Sequence, residues 1–349
     1  MLGIDHRALR ITWTVFLFCF LLLIIYEIRK TLLVFAAAIF FAYMLYPLVK
    51  LVSELIPRRR TIALAIVYVL LVGALVGIGF ALIPAIAGQA SSLLTRLPTL
   101  LTGGRLATLP LPQWLDPMRS QIVSVLNRGA SDLGSRALPV LQQAGTRLLS
   151  GVGLILPMVL IPILAFFFLK DGVLISKSLL GRMEGAADRR TVRGILNDIN
   201  TVLQSYIRAL VILSLVTFAV FSLFLKIVGV EYQLLLAGAA AVLEFIPVIG
   251  PAIGLVIILI VAAVTSTGNL ITILVFWGVY RLFQDYILNP YLMRAGLELH
   301  PLLVLFGVLA GDQIGGIPGM FFSVPVLAIL RVVYGNLKEA DTRKQISAA

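Results

Sequence analysis

Four ionisable side chains, Glu244, Arg281, Asp285 and Asp312, lie in or beside stretches otherwise nearly free of charge. Placing such a group at the centre of a bilayer costs about 2.5–3.5 kcal/mol on insertion scales, so it faces a partner or a polar pathway. Arg281, Asp285 and Asn289 are spaced i, i+4, i+8 and share one helical face, with Gln284 beside them. Arg281 and Asp285 can pair along that face, and a purely structural pair is one reading. Gln284 and Asn289 extend the polarity beyond what pairing requires, which favours a stripe facing a solute or an ion. Glu244 precedes a helix break at Pro247, Gly250 and Pro251, and Asp312 with Gln313 sits in a second break holding Gly311, Gly315, Gly316, Pro318 and Gly319. Freed backbone amides and carbonyls beside a carboxylate suit an ion or polar-solute site, and either carboxylate could exchange a proton. His300, just before Pro301, reads as a helix-start residue rather than a proton relay.

Enzyme chemistry finds little support. The chain has two histidines, His6 and His300, and neither belongs to an H-E-x-x-H metal site. The glycines from Gly311 to Gly319 lack the Lys-Ser/Thr of a phosphate-binding loop, so no nucleotide is expected to drive the protein from within this chain. Ser323 has no matching base for nucleophilic catalysis. No metal and no cofactor are expected. Cys19, the single cysteine, reads as a small apolar residue.

The elements that must position these groups follow from composition. Of 349 residues 60% are hydrophobic and 13% charged, against about 45–50% and 25% in soluble domains. Residues 31–49, 61–95, 148–169 and 209–225 carry no charge, and 232–280 carries only Glu244. A helix needs about 20 apolar residues to span a bilayer. The fold class is therefore all-α, a polytopic integral membrane protein with two opposed broken hairpins, re-entrant or paired half-helices, in its C-terminal third. The net charge of +12 lies beside the apolar runs, where it marks topology and contacts anionic membrane lipids. Nucleic acid is not an expected partner.

Basic residues His6, Arg7 and Arg10 place the N-terminus in the cytoplasm. Spans near 11–28, 31–52 and 61–87 follow, the second and third joined by the basic turn Arg58-Arg59-Arg60, and 1–88 forms an N-terminal group. Residues 89–147, with six arginines, read as an extracytoplasmic insertion of amphipathic helices, for example over 119–128 and 132–149. The segment 148–228 holds two further spans around a basic cytoplasmic helical hairpin at 170–205. Residues 229–335 form the C-terminal bundle: a broken hairpin at 233–265, one through-helix near 270–289 with Pro290 as a break or hinge after it, and a second broken hairpin at 301–335. The tail 336–349 is cytoplasmic. The two breaks then enter the membrane from opposite sides, and backbone irregularity at that depth is tolerated only when it is buried in protein or lines a watery cavity.

These segments resemble the autoinducer-2 exporter family. The resemblance rests on Phe41 to Val49 (FAYMLYPLV), Leu243 to Pro251 (LEFIPVIGP), Gln284 to Pro290, His300-Pro301-Leu302-Leu303, and Gly311 with Gly315 to Gly319, in this order over about 10–335. It implies a homo-oligomeric permease of the bacterial inner membrane, some members exporting the furanone-type signal and others associated with Na⁺/H⁺ antiport. The first expectation is export of a small polar solute such as autoinducer-2 by alternating access, with Asp312→Asn and Asn289→Ala lowering transport. The second is Na⁺(Li⁺)/H⁺ antiport through Glu244, Asp285 and Asp312. The third is a non-transporting scaffold using 89–150 and 170–205 as partner surfaces.

Overall fold

A computed structural model describes residues 6–55, 60–102, 155–181, 186–265, 270–292 and 299–348, with isolated positions between 117 and 128. Half of the amphipathic segment expected over 119–128, all of the one over 132–149, Arg58 and Arg59 of the basic turn, and the start of the span at 148–154 lie outside the described residues.

Every described element is helical. They are α1 (His6–Glu27), α2 (Arg29–Leu55), α3 (Arg60–Thr102), α4 (Ile155–Gly181), α5 (Ala186–Ile227), α6 (Gln233–Leu243), α7 (Ile249–Thr265), α8 (Leu270–Phe283), a π-helical turn (Gln284–Leu288), α9 (Asn289–Leu292) and α10 (Pro301–Ala348). Among the described residues five helices are long and apolar enough to cross a membrane, within Arg10–Glu27, Arg29–Leu55, Arg189–Ile227, Leu270–Leu292 and Pro301–Lys338. Two helices outrun a bilayer. At 1.5 Å per residue, α3 with 43 residues and α5 with 42 each extend about 63–65 Å, twice the roughly 30 Å of hydrocarbon. The polar stretch 186–205 is therefore the N-terminal half of α5, continuous with its apolar half. The far end of α3 reaches α6, where Gln89 Oε1 accepts a hydrogen bond from the Leu235 amide at 3.0 Å.

Two packed groups share a seam. Ala42, Leu45, Val49, Leu64, Val67, Ala165 and Leu169 join α2, α3 and α4. Phe221, Leu225, Leu236, Ala237, Ile258, Ile273 and Tyr280 join α5 to α8. Between them Tyr206, Ile207 and Leu210 of α5 pack with Val324 of α10 and with Phe40 of α2. Phe40 also meets Phe245 at the first break and Phe321 and Phe322 at the second, ring to ring. Lipid gives apolar side chains no reason to leave it, so close packing of this kind, with small residues at the contacts, is what holds helices together in a bilayer. By contrast α1 is uncovered: each side chain from Arg10 to Ile28 is exposed.

Both helix breaks reverse the chain. After α6, Val248 adopts a left-handed backbone (φ 67°), and α7 returns along α6, with Gly254 against Ala240 and Gly250 against the Leu243 carbonyl. Within α10, Gly316 leaves helical geometry (φ 61°, ψ −143°). The two legs then lie side by side and antiparallel: Gly311 meets Gly319 backbone to backbone, and Gly307 meets Ser323 and Leu327. A side chain at Gly311 or Gly319 would occupy the other leg's main chain.

Candidate solute site at the first helix break

The through-helix is not uniformly α-helical, and the departure builds the site. Pro290 has no amide hydrogen, and its ring displaces the carbonyl four residues earlier. The helix accommodates this with a π turn over Gln284–Leu288, in which the Asn289 amide bonds to the Gln284 carbonyl. Such a turn inserts a residue and re-aims the side chains around it, often where function sits. Here it turns Gln284 inward, 1% exposed, and leaves Asp285 outward.

Glu244 follows α6 directly, its amide still bonded to the Ala240 carbonyl. Its side chain is 8% exposed and accepts a hydrogen bond from Gln284 Nε2 at 2.9 Å. This bond orients the Gln284 amide, because a carboxylate can only accept from the NH₂ end. Gln284 Oε1 is consequently directed elsewhere. Arg281 Nε meets Asp285 Oδ2 at 3.0 Å, and Asn289 Nδ2 donates to Asp285 Oδ1 at 3.1 Å. Both Asp285 oxygens are engaged, and the Arg281 charge is matched on its own helix.

Glu244, Arg281, Gln284 and Asn289 line a cavity of about 320 Å³ whose wall is completed by Tyr206, Leu210 and Leu213 of α5, Pro247, Val248 and Pro251 around the break, and Leu299 with Pro301, Val304 and Val324 of α10. Glu244, Pro251, Arg281 and Gln284 also bound a second recess of about 10 Å³, room for one water. The four residues thus form the partition between a wide chamber and a narrow one. Beyond the partition Thr217 Oγ1 and Tyr280 OH share a buried hydrogen bond of 2.8 Å. Among the described residues, Tyr206 OH, Gln284 Oε1 and Asn289 Oδ1 are buried with no hydrogen-bond partner, and all three residues line the wide cavity.

The structure thereby brings Glu244, Arg281, Gln284, Asp285, Asn289, Pro247 and Pro251 to one place, with Gly250 behind the break and Pro290 shaping the π turn. It does not bring Asp312 and Gln313 there. Both are exposed, neither lines this cavity, and Gly311, Gly315, Gly316, Pro318 and Gly319 form the second reversal. His300 is exposed, and its Nδ1 accepts the Leu302 amide at 3.3 Å, at the start of α10. Among the described residues no three His, Cys, Asp or Glu side chains converge on a point that could hold a metal ion. Sequence reasoning passed over Tyr206, Thr217 and Tyr280. Thr217 and Tyr280 are polar residues within apolar runs, a signal that was present, whereas Tyr206 sits at the edge of a polar stretch with nothing to distinguish it.

A family profile described as AI-2E family transporter matches residues 14–339. The chain belongs to the AI-2E family. It is 27% identical to YueF of Bacillus subtilis (strain 168) over 339 residues, 91% of each chain, and 27% identical to YrrI of the same organism over 310 residues, 85% of this chain and 83% of YrrI. Both carry provisional names as transport proteins. PerM of Escherichia coli (strain K12), provisionally named a permease, is 28% identical over 317 residues, 85% of this chain and 84% of PerM. With the five membrane-length helices, membership makes this a multi-pass membrane protein of a transporter family.

Proposed function

We propose that this AI-2E family member is a secondary transporter of the bacterial inner membrane, both termini cytoplasmic, which carries a small polar solute outward through the cavity at the first break. The observation that carries this reading is the cavity itself: about 320 Å³, the lower end of the usual small-molecule range, apolar over most of its wall, with a few convergent polar groups. Alternating access is supported by the partition at Glu244 and Gln284, wide on one side and water-sized on the other. The two broken hairpins re-enter the membrane on this reading. At 1.5 Å per residue α6 spans about 16 Å, α7 about 26 Å and the leg 301–315 about 22 Å, each short of the bilayer core. A polyol such as autoinducer-2 suits the neutral amides of Gln284 and Asn289. Sealed liposomes holding the purified protein and labelled autoinducer-2 test this: release should exceed that from protein-free liposomes and fall at least tenfold in Glu244→Gln. Equal release from both would overturn the assignment.

Cation/proton exchange is the second reading, favoured by the burial of Glu244 beside an amide oxygen. A pH-sensitive dye inside the same liposomes should then respond to external Na⁺ or Li⁺, and the response should vanish in Glu244→Gln.

A further inference from the structure

We infer that, among small polar solutes, the cavity at the first break prefers an organic cation, a primary ammonium on a short apolar body, over a neutral solute of similar size and over a bare metal ion. The inference rests on the reading that this cavity is the solute site.

Charge comes first. Arg281 pairs with Asp285 at 3.0 Å and also stands near enough to attract Glu244, so the three groups together leave one negative charge at the cavity. Gln284 gives Glu244 a hydrogen bond from a neutral amide. A carboxylate 8% exposed in a mostly apolar wall calls for a positive partner, because an uncompensated buried charge is among the costliest groups a protein can hold. The donor and acceptor balance points the same way. Among the described residues that line the cavity, the buried side-chain atoms without a hydrogen-bond partner are two amide oxygens, Gln284 Oε1 and Asn289 Oδ1, and the Tyr206 hydroxyl. Amide oxygens only accept, a hydroxyl can accept, and a primary ammonium carries three donors and no acceptor. An anionic cargo would meet these oxygens with more oxygens.

Size and wall chemistry separate an organic cation from a metal ion. A dehydrated alkali ion fills a small part of about 320 Å³, and it would leave Leu210, Leu213, Leu299, Val304 and Val324 with nothing to contact. A short alkyl body would bury itself against these residues at about 0.8 kcal/mol per methylene, a factor of about four in affinity for each.

Three isosteres of differing charge decide the matter: n-butylammonium, n-butanol and butyrate. Binding is measured by calorimetry at pH 7 on the full chain in lipid nanodiscs, with empty nanodiscs subtracted. The expected result is that n-butylammonium binds at least tenfold more tightly than n-butanol, with butyrate weakest. Glu244→Gln should bring the ammonium and the alcohol within about twofold of each other. Asp285→Asn, at a partly exposed position that the fold should tolerate, unlocks Arg281 and should move the preference toward butyrate. n-Butanol binding as tightly as n-butylammonium, or a preference surviving in Glu244→Gln, would overturn the inference. In that case loss of all binding in Leu213→Trp, which fills the cavity, would leave the solute site standing. Binding that persists in Leu213→Trp would overturn both.

Discussion

The two helix breaks of the C-terminal third look alike in sequence and differ in what faces them. Each interrupts an apolar stretch with proline and glycine, each carries a carboxylate, and each reverses the chain through a backbone contact at glycine, Gly250 on Leu243 and Gly311 on Gly319. At the first, Glu244 points into protein and meets Gln284. At the second, Asp312 is exposed, and the neighbour pressed against Gly315 is the apolar Leu33 of α2. A break supplies irregular backbone, but a binding site also needs a polar group on the element across from it. The π turn before Pro290 supplies that group to the first break alone.

The sharpest way to test the shared half of this comparison is at the glycines. Gly319→Ala puts a Cβ on the Gly311 main chain, and Gly250→Ala does the same to Leu243. Each should cost about 3 kcal/mol, the upper end for forced overpacking. Gly254→Ala, whose Cβ would sit 3.5 Å from the Ala240 Cα, should cost under about 1 kcal/mol. Thermal unfolding in detergent checks all three. Unchanged stability in Gly319→Ala would mean that the legs of α10 do not lie against each other.

The carboxylates test the difference. Glu244→Gln should lower solute transport at least tenfold, about 1.4 kcal/mol of lost transition-state stabilisation, while Asp312→Asn, off the cavity, should lower it less than twofold. Equal losses in liposome flux would break the comparison.

How far these features could be read in advance depends on which force produces them. Helix content and the two reversals were legible, because apolar length and Pro-Gly breaks act locally. Glu244, Arg281, Gln284 and Asn289 were legible as polar groups in an apolar setting, where their cost demands a purpose. The i, i+4 pairing of Arg281 with Asp285 was legible for the same local reason. The inward turn of Gln284 was not, since it depends on a π turn that shifts the face by one residue. Pro290 is a visible sign of that turn, but its type and position suggest a break between hairpins rather than a change of register. The exposure of Asp312 was equally out of reach, because it depends on which helix lies opposite. Tyr206 reaches the cavity wall through the crossing of α5 with α10, a long-range contact that spacing along one helix does not encode.

The turns themselves offer a smaller contrast. The first places a β-branched Val248 at φ 67°, whereas the second places Gly316 at φ 61°, and a left-handed backbone costs an L-residue about 1–2 kcal/mol. Val248→Gly should therefore raise stability by about 1 kcal/mol, and Gly316→Ala should lower it by about as much or slightly more. A gain in neither and a loss in neither, measured by thermal unfolding, would mean that the turns relax freely. A stabilised Val248→Gly with slower transport would instead mark the strained valine as part of the gating motion.

The smallest effect concerns the hydroxyl pair behind Glu244. Thr217 and Tyr280 bond at 2.8 Å with Thr217 1% and Tyr280 6% exposed, fastening α5 to α8 beside the first break. Removing one partner leaves the other buried and unsatisfied, so Thr217→Val and Tyr280→Phe should each cost about 1 kcal/mol. The double variant removes both polar groups at little change of shape, and it should be no less stable than either single variant, giving a coupling of about 1 kcal/mol in a double-mutant cycle. Strict additivity would mean that the two hydroxyls act independently. The cycle also bears on the partition. If the recess must accept a solute or its proton during transport, the double variant, folded but with a dry wall there, should transport more slowly than its stability predicts. If the recess is only packing, flux should follow the amount of folded protein.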